Sequence, residues 1–202
     1  MRNYNLGFIT NEAIFAHVKK TVNKYRFNIN HADFNKNLVD PIKLTFDSKI
    51  YKRDIVDVIE DEVLRQIDKS NTNHIGYFHQ NIFHHFGNGW TVPKNGYDVI
   101  NTIKHIYVEM KNKHNTMNSS SSQKTYMRMQ NTLLNDPQAT CMLVEVIATK
   151  SQNIAWGTSL DGQPMLNEKI RRVSIDKFYE MATGDNLAFK KLCDFSYMEF
   201  YS

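Results

Sequence analysis

Asp98, Glu109 and Lys111 form the pattern D-x(10)-E-x-K within NGYDVINTIKHIYVEMKNKHN, residues 95–115. Each residue type has a physical job. Two carboxylates make a hard oxygen site for Mg²⁺, an ion that keeps several waters and bridges to phosphate. An ion held there makes water a better nucleophile at neutral pH. An ammonium two residues after the second acid orients that water, or offsets charge building up on phosphorus. Charges are costly near a core unless paired or put to chemical use, so such a cluster marks a candidate site. The spacing alone also fits a salt-bridged surface hairpin, because D…ExK arises by chance in many chains.

The triad needs a pair of strands to hold it. Gly96–Ile100 and Ile103–Lys111 read as those strands, joined by a turn at Asn101-Thr102, with Asp98 in the first. Alternation puts Glu109 and Lys111 on one face. Met110 turns to the core, and its carbonyl stays available to a metal. Before this pair, helices are expected over 10–26, 52–69 and 73–86, the last two separated by Asn71-Thr72-Asn73. Residues 27–51 read as loop with extended pieces such as Ile42–Phe46, because of their asparagines and Pro41. After it, Ser119–Ser122 opens a helix that Asp136-Pro137 ends. Thr140–Thr149, TCMLVEVIAT, is a nearly continuous apolar run, as a buried parallel strand would be. Residues 151–169 read as loop, Ile170–Val173 as a last strand, and two helices follow, Ser174 to about Ala182 and Asn186–Phe195. The order gives an α/β fold, a mixed β-sheet core flanked by helices. It is expected to form one domain over 1–202, with a helical part at about 1–86 and the catalytic sheet core at about 87–175.

The 202 residues suffice for a sizeable core, and 41% are hydrophobic. No run of 18 apolar residues offers a membrane span, and MRNYNLGFITNEAIF lacks the pattern of a signal peptide. Cys141 and Cys193 match no zinc or redox spacing and are expected as buried thiols in a reducing cytoplasm. His74, His79, His84 and His85 gather in one predicted helix. Steps of five spread the first three around it, so they read as structural or solvated rather than metal-ligating. A net charge of +4 decides little by itself. Its clustering says more: Lys104, Lys111, Lys113, Lys124 and Arg128 lie close to the triad.

With GYDV in the place of a PD half and VEMK as the ExK half, the sequence resembles the PD-(D/E)XK nuclease superfamily. Tyr97 stands where that family commonly has proline. NKHNTMNSSSSQKTYMRMQ, IGYFHQNIF and VSIDKFYEMATGDNLAFKKLC are similar, more narrowly, to type II restriction endonucleases that cut GGNCC-type sites. The resemblance covers roughly residues 70–195. It implies a restriction-endonuclease-like sheet, Mg²⁺ on Asp98 and Glu109, and Lys111 serving the attacking water. It implies double-stranded DNA as substrate, a homodimer, and a cognate DNA methyltransferase as genetic partner. The family often adds an acid from a preceding helix, for which Glu62 and Glu60 are candidates, and Gln80 is a candidate accessory group. Asn112, Lys113, His114 and Asn115 fall where the DNA strand should pass, with Lys124 and Arg128 placed for the backbone or the major groove. Arg171 and Arg172 are both candidates for guanine contacts, and the sequence does not choose between them. A repair or recombination nuclease, or a non-catalytic DNA-binding protein on the same fold, remains an alternative.

Overall fold

The structure, a computed structural model, describes residues 4–160 and 162–200. The backbone divides into two compact units, one of Met1–Val18 with Phe78–Ser202 and one of Lys19–Tyr77. The first holds a six-stranded mixed sheet flanked by helices, the α/β arrangement expected from the element order.

Its strands are β1 (Trp90–Thr91), β2 (Val99–Asn101), β3 (Ile106–Lys113), β4 (Thr140–Ile147), β5 (Asn153–Leu160) and β6 (Gln163–Ser174), in the order β1-β2-β3-β4-β6-β5. β1, β2 and β3 are antiparallel neighbours, whereas β3, β4 and β6 run parallel. The connection from β3 to β4 is the helix Ser119–Asn135, entered through Asn118, whose side chain accepts the Ser121 N–H. The cap is therefore the asparagine before the serine run. This helix lays Tyr126 and Met129 on one face of the sheet, against Cys141, Leu143, Trp156 and Ile170. The other face buries Val108, Met110, Met142, Val144 and Val173 against Ile82, Phe83, Phe178 and Tyr179. Strand β4 is thus covered on both sides, which explains its nearly unbroken apolar run.

Residues 153–174 are a long antiparallel hairpin rather than the loop expected for 151–169. The glycines and Pro164 suggested loop, but they have specific places in the ladder. A Cβ on Gly157 would lie 2.8 Å from the Met165 carbonyl oxygen, so that glycine permits a close strand approach. Gly162 takes the left-handed conformation of a turn residue, with φ +80°. Cys193 is exposed rather than buried. The last helix, Ala188–Phe200, turns Ala188, Leu192 and Phe195 inward, and Cys193 lies off that stripe.

In the unit Lys19–Tyr77, residues Pro41–Tyr51 are a helix where extended pieces were expected. Pro41 is its first-turn residue, which needs no N–H, and Asp40 caps it through the N–H groups of Ile42 and Lys43. Asn71 does not punctuate either. Helix Ile55–Asn81 runs straight through it, and the Asn71 side chain instead bonds the Arg26 backbone at 2.9 and 3.0 Å. No helix among the described residues is long and apolar enough to cross a membrane.

His79 supplies a stability test in the first unit. Its ring is buried beside Phe78 and Phe189, and burial, with a smaller contribution from His17, holds its pKa down to about 4. As pH falls through the ordinary value of 6.5, the unfolded chain takes up a proton that the folded chain refuses until about 4. Stability is therefore lost across that window, by about 2 kcal/mol at pH 5. Unfolding free energies from urea titrations at pH 7 and pH 5 should differ by about that much more in the wild type than in His79→Phe. An equal pH dependence in the two proteins would contradict this reading.

Candidate active site

Antiparallel pairing of β2 with β3 brings the three residues of the pattern together. Val99 pairs with Val108, and the Asp98 N–H donates to the Val108 carbonyl at 2.9 Å. Asp98 therefore sits one step before β2, opposite Glu109, rather than inside the strand. The turn is also longer than expected. It spans Thr102–His105, so β3 starts at Ile106 and not at Ile103. Asn101 builds it: the buried side-chain oxygen accepts from the N–H groups of Ile103 and Lys104 at 3.1 and 2.9 Å. Its amide donates to the Asn88 carbonyl at 2.9 Å. The longer turn also shifts the register: a two-residue turn at Asn101-Thr102 would set Asp98 opposite His105, whereas the observed turn sets it opposite Glu109.

Asp98 uses one oxygen structurally. Its Oδ2 accepts the Met110 N–H at 2.7 Å, while Oδ1 accepts no hydrogen bond among the described residues. Burial pushes its pKa up, the Met110 N–H pulls it down, and the Glu109 charge adds to the rise. Glu109 is held by two cations: Lys111 Nζ lies 2.7 Å from Oε1, and the Arg128 guanidinium bonds Oε2. Arg128 also donates to the Gly96 carbonyl at 2.9 Å and lies 4.6 Å above the Tyr97 ring. The Tyr97 hydroxyl is fixed in turn by Thr132 Oγ1 at 2.7 Å. The tyrosine in the proline position is thus a platform for the arginine that meets Glu109.

A divalent cation suits this donor set. The open Oδ1 of Asp98 and the Glu109 carboxylate are hard oxygens, and Glu109 already draws cations to itself. Among the described residues no three His, Cys, Asp or Glu side chains stand together as a closed cage.

The remaining candidates fall differently. Glu62 is engaged by Arg65 and Gln66, and the Arg65 hydrogen bonds hold its pKa below the usual range. Gln80 makes no hydrogen bond to Asp98, Glu109 or Lys111. Lys113 and Lys124 are exposed cations. Strand alternation turns Asn112 to the face opposite Lys111 and Lys113. Arg171 is spent on Asn153 and Glu168. Arg172 lies on the same face of the sheet as Glu109 and bonds Glu145 and Asn115, with its Nη2 close to His114 Nδ1.

Glu145 went unnoticed in the sequence. It is 1% exposed, sits in register with Lys111 on the neighbouring strand, and accepts from both Arg172 and His114. Its pKa stays below the ordinary value, because these partners outweigh the opposing effect of burial. The available signal was that Glu145 is the one charge in TCMLVEVIAT.

Comparison with known proteins shows the family. Residues 6–196 match the family model described as Eco47II restriction endonuclease. The type II restriction enzyme Sau96I of Staphylococcus aureus is 33% identical over 205 residues, covering 95% of this chain and 78% of that enzyme. The type II restriction enzyme Eco47II of Escherichia coli is 27% identical over 202 residues, covering 93% of this chain and 83% of that enzyme. No solved structure matches. A family match over nearly the whole chain, including the strand pair that aligns Asp98, Glu109 and Lys111, means that the chain belongs to the Eco47II restriction endonuclease family.

Proposed function

We propose that this restriction endonuclease is a Mg²⁺-dependent phosphodiesterase acting on double-stranded DNA at a short palindromic site of the GGNCC type. The observation that carries the reading is the register of β2 with β3, which sets an open Asp98 oxygen beside the Glu109–Lys111 pair. Asp98, Glu109 and the Met110 carbonyl would hold the ion, which when bound neutralises phosphate charge and makes water more nucleophilic. Lys111 orients the attacking water and offsets charge gathering on the phosphoryl oxygens. Lys113, Lys124 and the turn after β3 supply positive charge and donors to the DNA backbone. Arg128, resting on Tyr97, sets the Glu109 carboxylate and is a further candidate for DNA contact.

A symmetric homodimer would place two such sites on the two strands of a palindrome and give a double-strand cut. The products would carry 5′-phosphate and 3′-hydroxyl ends. A cytoplasmic enzyme of this kind needs a DNA methyltransferase of matching specificity to protect the host. Incubation with plasmid DNA and Mg²⁺ should give discrete fragments that vanish when a chelator is added. Nicks or smears would favour a repair-type nuclease, and no cleavage a DNA-binding protein. Sequencing the fragment ends tests the GGNCC assignment directly.

A further inference from the structure

Beside the triad lies a second cluster that the reaction as described does not use. Glu145 is buried at the centre of the sheet, one strand over from Lys111. Arg172 reaches it from β6, with Nε at 2.9 Å from Oε1 and Nη2 bonded to the same oxygen. His114 Nδ1 lies 3.0 Å from Oε2. A ring nitrogen beside a buried carboxylate carries its proton towards it, so Nδ1–H donates to Glu145. Arg172 Nη2 also lies 3.1 Å from Asn115 Oδ1. A guanidinium only donates, so the Asn115 oxygen must face it and the Asn115 amide N–H groups turn outward. Asn115 itself is exposed and left-handed, with φ +53°, at the point where the chain leaves β3.

Such a buried ion pair needs a reason. An apolar residue at 145 would fill a covered strand at less cost, since buried pairs are weak contributors to stability. What Glu145 does is fix the guanidinium. With Nε and Nη2 occupied, Arg172 keeps Nη1, which has no partner among the described residues and is not enclosed. A single outward nitrogen cannot make the two-pronged contact that reads guanine. It suits a phosphate oxygen, and the Asn115 amide beside it suits a second one.

We propose that Arg172 and Asn115 form a binding site for a DNA backbone phosphate next to Lys111, with Glu145 as the buried positioning residue and His114 locking it. This rests on the nuclease reading above and deepens it. The site fixes where the DNA strand runs relative to Asp98 and Glu109, and it gives Arg172 a role that carries no sequence information.

The test uses the full chain with Ca²⁺ in place of Mg²⁺, so that DNA is bound without being cut. Fluorescence anisotropy is followed against salt, on one duplex carrying the mapped site and one with that site scrambled. Arg172→Ala should lower the slope of log K against log salt by about 0.9 per protomer, about 1.8 for a homodimer on one duplex, the loss of one phosphate contact from each. It should weaken both duplexes alike, by about tenfold per protomer. Asn115→Gly, which suits the left-handed backbone and leaves the core untouched, should weaken both duplexes by a smaller equal factor. Glu145→Gln should behave as a partial Arg172→Ala, with Arg172→Lys recovering slope but not affinity. Melting of each variant shows that the change is not one of folding. Unchanged slope and affinity in folded Arg172→Ala and Asn115→Gly would overturn the proposal while leaving a wild type that cleaves. Weakening confined to the site duplex would overturn it in favour of base reading. A wild type that neither binds nor cleaves would remove the nuclease reading itself, and the phosphate site with it.

Discussion

Asp98→Asn is expected to lose DNA cleavage by about two to four orders of magnitude while folding as stably as the wild type. Asp98→Ala should lose cleavage to the same extent and stability as well. The difference follows from the unequal use of the two oxygens. Oδ2 accepts the Met110 N–H at 2.7 Å, and this bond ties the residue before β2 to the strand that carries Glu109 and Lys111. Asparagine keeps an acceptor in that place and removes the charge. Burial already works against that charge, since it raises the Asp98 pKa, so its loss costs the fold little. Alanine leaves the Met110 N–H without its partner, at about 1–3 kcal/mol. Urea denaturation of the three proteins, beside single-turnover cleavage in Mg²⁺, separates the two roles. Substantial cleavage by Asp98→Asn would remove Asp98 from the metal site. Equal stability of the asparagine and alanine variants would show that the Met110 bond does not hold the strand pair.

The presence of the strand pair was legible in the sequence, but its register was not, for a reason visible at Asn101. In an antiparallel pair every residue added to the turn shifts which residues face each other across it. Asn101 closes the longer turn by gathering the Ile103 and Lys104 N–H groups, bonds that no local pattern announces. The sequence therefore placed the turn too short, and that turn would have set Asp98 opposite His105 rather than Glu109. Pro41, Asn71 and Pro164 were misread by the same habit. Residues that break structure in an element's interior are at home at a helix start, on a helix surface with an outside partner, or at the end of a hairpin. Hydrophobic pattern gave the covered strand β4 but hid its one charge. Burial of Glu145 depends on Arg172, twenty-seven residues later, and on His114, thirty-one earlier, and no local pattern encodes that meeting. Between Arg171 and Arg172, adjacent in sequence, only the sheet decides. Alternation sends one to Asn153 and Glu168 and the other to the face of the triad.

Lys111→Ala is expected to lower the single-turnover cleavage rate by about 10²–10³ while leaving DNA affinity in Ca²⁺ within about tenfold. Two roles for this lysine are open to separation, because it pairs with Glu109 at 2.7 Å and is also a third exposed. If its work is only to neutralise Glu109, its removal leaves a more negative site that holds a cation more tightly. Cleavage would then return at lower Mg²⁺ concentration, with Arg128 still on the other oxygen of Glu109. If Lys111 acts on water and the phosphoryl group, no Mg²⁺ concentration restores the rate, because the ammonium is missing where charge develops. The second outcome is expected. Glu109 already has Arg128 as a fixed cation, so a lysine needed for charge balance alone would duplicate it. The pair is partly exposed, so its loss should change folding stability by no more than about 1 kcal/mol. A Mg²⁺ titration of Lys111→Ala measures this directly. A variant that cleaves within tenfold of the wild type at any Mg²⁺ concentration would take Lys111 out of the chemistry.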